Sequence, residues 1–154
     1  MAWEDGHDMP SGVHKLILAV VDDDQAVRSA VGRLLRACGH DVHVFDSAEA
    51  YLLEPARADC VILDVHLPGV SGVELEGRMR REDRAVPVVF ITGHDDHATR
   101  DAVGTTHRPF LRKPFDADVL LAAIASATQH EARVYTKGGT PRPLAACGDQ
   151  GASC

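Results

Sequence analysis

Cys60-Val61-Ile62-Leu63-Asp64-Val65-His66-Leu67-Pro68-Gly69 is the stretch whose reading decides the fold. Residues of apolar or small character run directly into a carboxylate, and a Pro-Gly pair soon afterwards stops any continuation. An apolar run of this length, bounded by turn residues, reads as a strand buried on both faces of a parallel sheet. The strand end turns Asp64 out of the core, and Leu67-Pro68-Gly69 keeps the next loop open. Ligands of open α/β sheets bind at the carboxyl ends of strands, so Asp64 stands where chemistry is expected. An aspartate ahead of Pro and Gly also serves simply to cap a turn. On this stretch alone the two readings are equal, and the flanking sequence separates them.

Upstream, Lys15 to Val21 (KLILAVV) is a second strand, and it runs straight into Asp22-Asp23-Asp24. At ~5 Å and an effective dielectric of about 20, each like-charge pair costs roughly 3 kcal/mol. A cation, solvent or a helix N-terminus must offset that cost. Asp24 is placed to cap the next helix, which leaves Asp22 and Asp23 at the strand end. A solvated acidic turn would account for any one of these residues, less well for a pair directly after an apolar strand. The helix runs from about Gln25 to Cys38, with Val27, Ala30, Val31, Leu34, Leu35 and Cys38 at helical spacing and Gly39 as its stop. Asp41 to Phe45 (DVHVF) alternates and suits a short edge strand. Ser47 opens a short helix through Leu53 that Pro55 ends. Residues 1–14 carry Gly, Pro, Ser and charge without a period and read as a flexible tail.

Downstream, Ser71 and Glu74 form a capping box for a helix to about Arg81, with a basic face of Arg78, Arg80 and Arg81. Pro87 opens another buried strand, Val88-Val89-Phe90-Ile91, which ends in Thr92-Gly93. The glycine leaves room for a ligand beside the Thr92 hydroxyl, although Thr92 alone reads as an ordinary turn residue. Asp95 to Val103 is expected to be helical on a poor apolar stripe of Ala98, Ala102 and Val103. Phe110-Leu111 is a short final strand followed by Arg112-Lys113-Pro114-Phe115. The last helix starts near Asp116 and packs Val119, Leu120, Ala123, Ile124 and Ala127. Residues 129–154 lack a period and read as a flexible tail, leaving 15–128 as the folded unit.

Five strands alternating with five helices imply a parallel sheet covered on both faces. Asp22, Asp23, Asp64, Thr92 and Lys113 then all fall on one rim of it. The 154 residues suit one domain with tails, and 45% hydrophobic content fills its core. Only 5% of residues are aromatic, so Val, Leu, Ile and Ala build that core. A formal net charge of -7 argues against direct nucleic-acid binding. Neither a membrane-length apolar run nor a signal peptide is present, so a soluble, cytoplasmic chain without membrane association is expected. Cys38, Cys60, Cys147 and Cys154 show no paired motif and read as free thiols. The nine histidines offer no ligand framework for zinc, and His94, His97 and His107 read as surface residues.

With these segments in view, the sequence resembles the receiver domains of bacterial two-component response regulators. The residues that carry the likeness are VVDDD (Val20 to Asp24), VILDVHLPGVSG (Val61 to Gly72), PVVFITGH (Pro87 to His94) and FLRKPF (Phe110 to Phe115). The last two are closest to receivers of the nitrogen-fixation regulator type, and the likeness spans roughly Lys15 to Thr128. It implies a flavodoxin-like (βα)5 fold, a five-stranded parallel sheet of order 2-1-3-4-5 with helices on both faces. It also implies that Asp64 accepts a phosphoryl group from a phosphohistidine of a sensor histidine kinase or histidine phosphotransfer protein. In the same likeness Asp22, Asp23, Asp64 and the backbone carbonyl of His66 hold Mg²⁺. Thr92 and Lys113 contact the phosphoryl group, Thr92 and Phe110 form the switch, and the Lys113-Pro114 peptide is cis. Such a protein is no enzyme beyond its own autophosphorylation and autodephosphorylation. Its partners extend to a phosphorylation-dependent homodimer or a downstream protein target.

Three departures stand out. The span from Thr92 to Lys113 is about one residue short, Thr106-His107-Arg108-Pro109 replaces an expected Gly-Ala, and His66 follows the acceptor by two residues. His66 is expected to affect the lifetime of the phosphoryl group. The residues after Thr128 lack the pattern of a helix-turn-helix module, so a stand-alone receiver is expected. Two rivals remain. A haloacid-dehalogenase-type phosphohydrolase needs a second aspartate where His66 stands. A phosphorylation-independent interaction module needs none of the acidic pair, Asp64, Thr92 or Lys113, but suits the altered Thr99 to Pro109 segment.

Overall fold

A computed structural model describes residues 15–54, 57–93 and 96–138, with side chains to residue 129. Ten elements alternate: β1 (Ile17–Val21), α1 (Gln25–Ala37), β2 (Asp41–Phe45), α2 (Ala48–Leu53), β3 (Cys60–Asp64), α3 (Gly72–Arg81), β4 (Val88–Thr92), α4 (His97–Gly104), β5 (Phe110–Arg112) and α5 (Ala117–Gly138). The strands form one sheet in the order β2-β1-β3-β4-β5, every pair parallel. This is the flavodoxin-like arrangement, and β2 is an edge strand as its alternating sequence required.

Period-two alternation within β1, β3 and β4 divides the interior into two cores. Ala19, Val21, Val61, Leu63, Val88 and Phe90 face Ala48 and Tyr51 of α2, Leu75 and Met79 of α3, and Val103 of α4. Leu18, Val20, Cys60, Ile62, Val89 and Ile91 face Val31 and Leu35 of α1 and Leu120, Ile124 and Ala127 of α5. Each large side chain so buried contributes about 1.5–3 kcal/mol. Because β1, β3 and β4 are buried on both faces, their sequences read as continuous apolar runs.

The helix starts follow their caps. Asp24 accepts hydrogen bonds from the N–H groups of Ala26 and Val27, Ser47 from Ala50, Ser71 from Glu74, and Asp96 from Thr99. The capping box expected at α3 is half formed, since the Glu74 carboxylate pairs with Arg78 at 3.8 Å. At the end of α1, Gly39 takes φ of 98°, open to glycine without a Cβ clash.

Two readings need correction. Helix α5 continues past Thr128 to Gly138, whereas the sequence suggested a tail from Gln129. Its buried residues, Leu120, Ile124 and Ala127, lie in the first half, and helix geometry outlasts that stripe. On α4 the buried residues are Thr99 and Val103, and Ala98 is exposed. A threonine hydroxyl that finds a partner can be buried like an apolar group, which periodicity of apolar residues cannot show. Residues 1–14, 55–56, 94–95 and 139–154, which include Pro55, His94, Cys147 and Cys154, lie outside the described residues.

Candidate functional site

Strand register sets the rim. Val21 pairs with Leu63, so Asp22 follows β1 beside Asp64 at the end of β3. Asp64 pairs with Ile91, and Thr92 pairs with Arg112, so Lys113 follows at the same level. The Lys113 N–H donates to the Thr92 carbonyl at 2.7 Å, and the Lys113-Pro114 peptide is cis.

Asp22 is fully buried, Asp64 is 4% exposed, and Asp23 is exposed. One carboxylate oxygen from each lies within 4.8 Å of the others. The Lys113 ammonium sits 2.9 Å from Asp22 Oδ2 and 3.6 Å from Asp64 Oδ2. Asp22 Oδ2 is buried and receives no well-aligned hydrogen bond, so Lys113 meets it as a charge contact. Its other oxygen accepts the Asp24 N–H at 2.8 Å, and Asp64 Oδ1 accepts the His66 N–H at 3.2 Å. Arg28 reaches back from α1 and donates to the Asp22 carbonyl at 2.8 Å.

The electrostatics follow from this crowding. Burial, then the charge of Asp22, pushes the Asp64 carboxyl up to about 6; Asp23 adds to the rise, while Lys113 and the His66 N–H oppose it. Burial also acts against the charged form of Lys113. Its close contact with Asp22 and the nearby Asp64 charge outweigh that burial, leaving the ammonium above its ordinary range. Two buried carboxylates, Asp22 and Asp64, thus share one lysine. This oxygen-only donor set, with an under-satisfied buried Asp22 Oδ2, fits a hard divalent cation such as Mg²⁺. Among the described residues it is the group of metal-capable side chains that comes together.

The structure therefore gathers Asp22, Asp23, Asp64 and Lys113. Thr92 is fully buried at the end of β4, on the same rim. Phe110 is half-buried at the start of β5, beside Phe90, and packs against the core under α2, α3 and α4. The His66 ring leaves the carboxylates and meets Thr99 Oγ1 at 3.0 Å. His97 is exposed and lies 3.7 Å from Asp101. His107 is exposed with φ of 58°.

Several contributors escaped the sequence reading. Gly72 carries no special signal beyond its small size, yet a Cβ there would overlap the Asp64 carbonyl oxygen. Glu49 of α2 accepts the Val70 N–H at 3.1 Å, bracing the loop after the acceptor. Glu76, a charged residue two positions before Arg78 of the basic face, is 1% exposed. Its Oε2 accepts from Arg80 Nε at 3.0 Å and Arg108 Nε at 3.1 Å. Arg108 belongs to the atypical Thr106 to Pro109 segment, which this buried pair ties to α3.

Comparison with known proteins agrees with the geometry. Residues 18–125 match the family described as "Response regulator receiver domain". Transcriptional regulatory protein FixJ of Bradyrhizobium diazoefficiens is 40% identical over 111 residues, which cover 70% of this chain and 54% of the relative. Nodulation protein W of the same organism is 38% identical over 120 residues, covering 76% and 53%. The chain spans about half the length of these curated relatives. The crystal structure of FixJ-N superposes with a TM-score of 0.69 at 30% identity, covering 77% of this chain and 97% of that one.

Proposed function

The chain belongs to the response regulator receiver family, and from that premise we propose that Asp64 accepts a phosphoryl group from a phosphohistidine of a partner protein. A receiver of two-component signalling is not a classical enzyme, and its covalent chemistry is performed on itself. The donor is a sensor histidine kinase or a histidine phosphotransfer protein, met in the cytoplasm. Among the described residues, no helix is long and apolar enough to cross a membrane.

One observation carries the proposal. The strand-end carboxylate of Asp64 stands within one cation's reach of Asp22 and Asp23, with the Lys113 ammonium 3.6 Å away. Asp22 and Asp23, with Asp64 and the His66 carbonyl, would hold Mg²⁺. Bound there, the ion supplies charge screening between an anionic carboxylate and an anionic phosphoryl group.

The protein's own groups do the rest. An Asp64 carboxylate oxygen attacks phosphorus in line, the bond from the donor imidazole nitrogen breaks, and the electron pair leaves with the imidazole, which takes a proton from solvent. The product is an acyl phosphate on Asp64. Lys113 remains as the paired cation for a phosphoryl oxygen, at a position fixed through its backbone bond to Thr92. The Thr92 hydroxyl donates to another phosphoryl oxygen, and Phe110 takes the space that Thr92 leaves. One covalent group thereby biases a two-state element. Downstream, a homodimer or a protein target would read that state.

The test is incubation with Mg²⁺ and acetyl phosphate, followed by intact mass, with Asp64→Asn as control. A Mg²⁺-dependent adduct that disappears in the variant is the expected result. If neither acetyl phosphate nor beryllofluoride engages the parent protein, the chain works as a phosphorylation-independent interaction module. The buried Arg108–Glu76 tie of the α4–β5 segment favours that second reading, because it steadies the surface a partner would meet. A phosphohydrolase of the haloacid-dehalogenase type draws no support, since His66 stands where that class needs a second aspartate and its ring is engaged with Thr99.

A further inference from the structure

The acceptor has a hydrogen-bonded connection to helix α4 that does not pass through Thr92. His66 makes it from both ends of one residue. Its N–H donates to Asp64 Oδ1 at 3.2 Å, and its ring Nε2 meets Thr99 Oγ1 at 3.0 Å. Thr99 stands in the first turn of α4, where its own N–H donates to the capping Asp96 Oδ1 at 2.8 Å.

The way α4 is held makes this contact important. Its buried residues are Thr99 and Val103. Val103 belongs to the apolar core, so the second half of the helix is held by packing. Thr99 is 4% exposed, and its buried hydroxyl would be costly without a partner. The first half of α4 is therefore anchored through a polar contact to the residue that also touches the acceptor carboxylate. Thr92 and Thr99 flank the connection between β4 and α4. A group that joins the Asp64 carboxylate disturbs the bond it accepts from the His66 N–H, and the His66–Thr99 bond resists the displacement of His66 that follows.

We propose, resting on the phosphoacceptor reading above, that His66 and Thr99 are positioning residues that latch helix α4 to the acceptor loop and oppose the phosphorylated conformation. The latch sets how readily Asp64 takes and keeps a phosphoryl group, and it is separate from the Thr92–Phe110 movement. A net hydrogen bond of ordinary strength corresponds to a shift of roughly 2- to 10-fold in such an equilibrium.

The experiment measures beryllofluoride affinity in Mg²⁺, and amide exchange in α4 of the unliganded protein, for Thr99→Val, His66→Phe, the double variant and Thr99→Ser. Each of the first two is expected to tighten beryllofluoride about 2- to 10-fold and to quicken exchange in α4 while α1 stays unchanged. The double variant should do no more than either single one, and Thr99→Ser, which keeps a hydroxyl, should behave as the parent. Unchanged affinity in the single variants overturns the latch. So do effects that multiply in the double variant, or faster α4 exchange without a change in affinity, which marks a merely structural contact. His66 is exposed, so His66→Phe leaves the core untouched and carries the test alone should Thr99→Val unfold. A parent protein that binds no beryllofluoride overturns the phosphoacceptor reading itself, and the latch with it.

Discussion

Replacing Asp64 with asparagine should stabilise the metal-free protein near neutral pH. The Asp64 carboxyl is raised from 3.8 to about 6, first by burial and then by the charge of Asp22. A carboxyl whose folded value exceeds its unfolded value binds more protons in the native state between the two. Stability from this group is therefore fully present below pH ~4 and is lost as pH rises through about 6. A shift of that size corresponds to roughly 3 kcal/mol at pH 7.5, and solvent at the exposed Asp23 side reduces it to about 1–2 kcal/mol. Asparagine is nearly isosteric, retains an oxygen for the His66 N–H and removes the charge. Urea unfolding in EDTA should show the variant more stable than the parent by about 1–2 kcal/mol at pH 7.5, or roughly 4–8 °C in Tm. At pH 4 most of this gain should vanish, and Mg²⁺ at pH 7.5 should narrow it by stabilising the parent. A variant no more stable than the parent at pH 7.5, or a gain of equal size at both pH values, refutes the claim that crowded carboxylates strain this rim.

Other substitutions test the supports around the site. Arg108→Ala should destabilise the fold by roughly 2–3 kcal/mol, on the low side for a broken buried pair because Arg80 still reaches Glu76. Adding Glu76→Gln to Arg108→Ala should recover part of that loss in urea unfolding, and a further loss would contradict the assignment. Gly72→Ala forces a Cβ onto the Asp64 carbonyl and should cost about 1–3 kcal/mol while weakening Mg²⁺ binding in a fluorescence titration. Native-like stability and Mg²⁺ affinity together would count against that contact. His40 is buried, its Nδ1 accepts the Leu16 N–H at 3.1 Å, and burial lowers its pKa below 6.5. Its lowered folded value means that stability is lost as pH falls below about 6.5, opposite in sign to Asp64. In an Asp64→Asn background, His40→Gln should therefore flatten the stability profile between pH 7 and 5; an unchanged slope would remove His40 from this account.

Much of the fold was legible because β1, β3 and β4 are buried on both faces. Each had to be a continuous apolar run, and each run ends abruptly in a polar residue. Caps at Asp24, Ser47 and Ser71 were legible because each satisfies orphan N–H groups within a few residues of itself. The end of α5 was not. The periodic apolar residues that mark it in the sequence stop at Ala127, and helical backbone that continues without such a period leaves no pattern to read.

The amino-acid sequence by itself determined the alternation of strands and helices, the parallel sheet, and the placing of Asp22, Asp23, Asp64, Thr92 and Lys113 on one rim. Those properties depend on strand ends and local periodicity, which are short-range. Only the tertiary structure decided that the Lys113 ammonium approaches Asp22 more closely than Asp64, at 2.9 Å against 3.6 Å. It alone joined His66 to Thr99, and Glu76 to Arg108, across 33 and 32 positions of chain. Such pairs need two polar groups to be desolvated together by different elements. No pattern within either element records that the other will arrive.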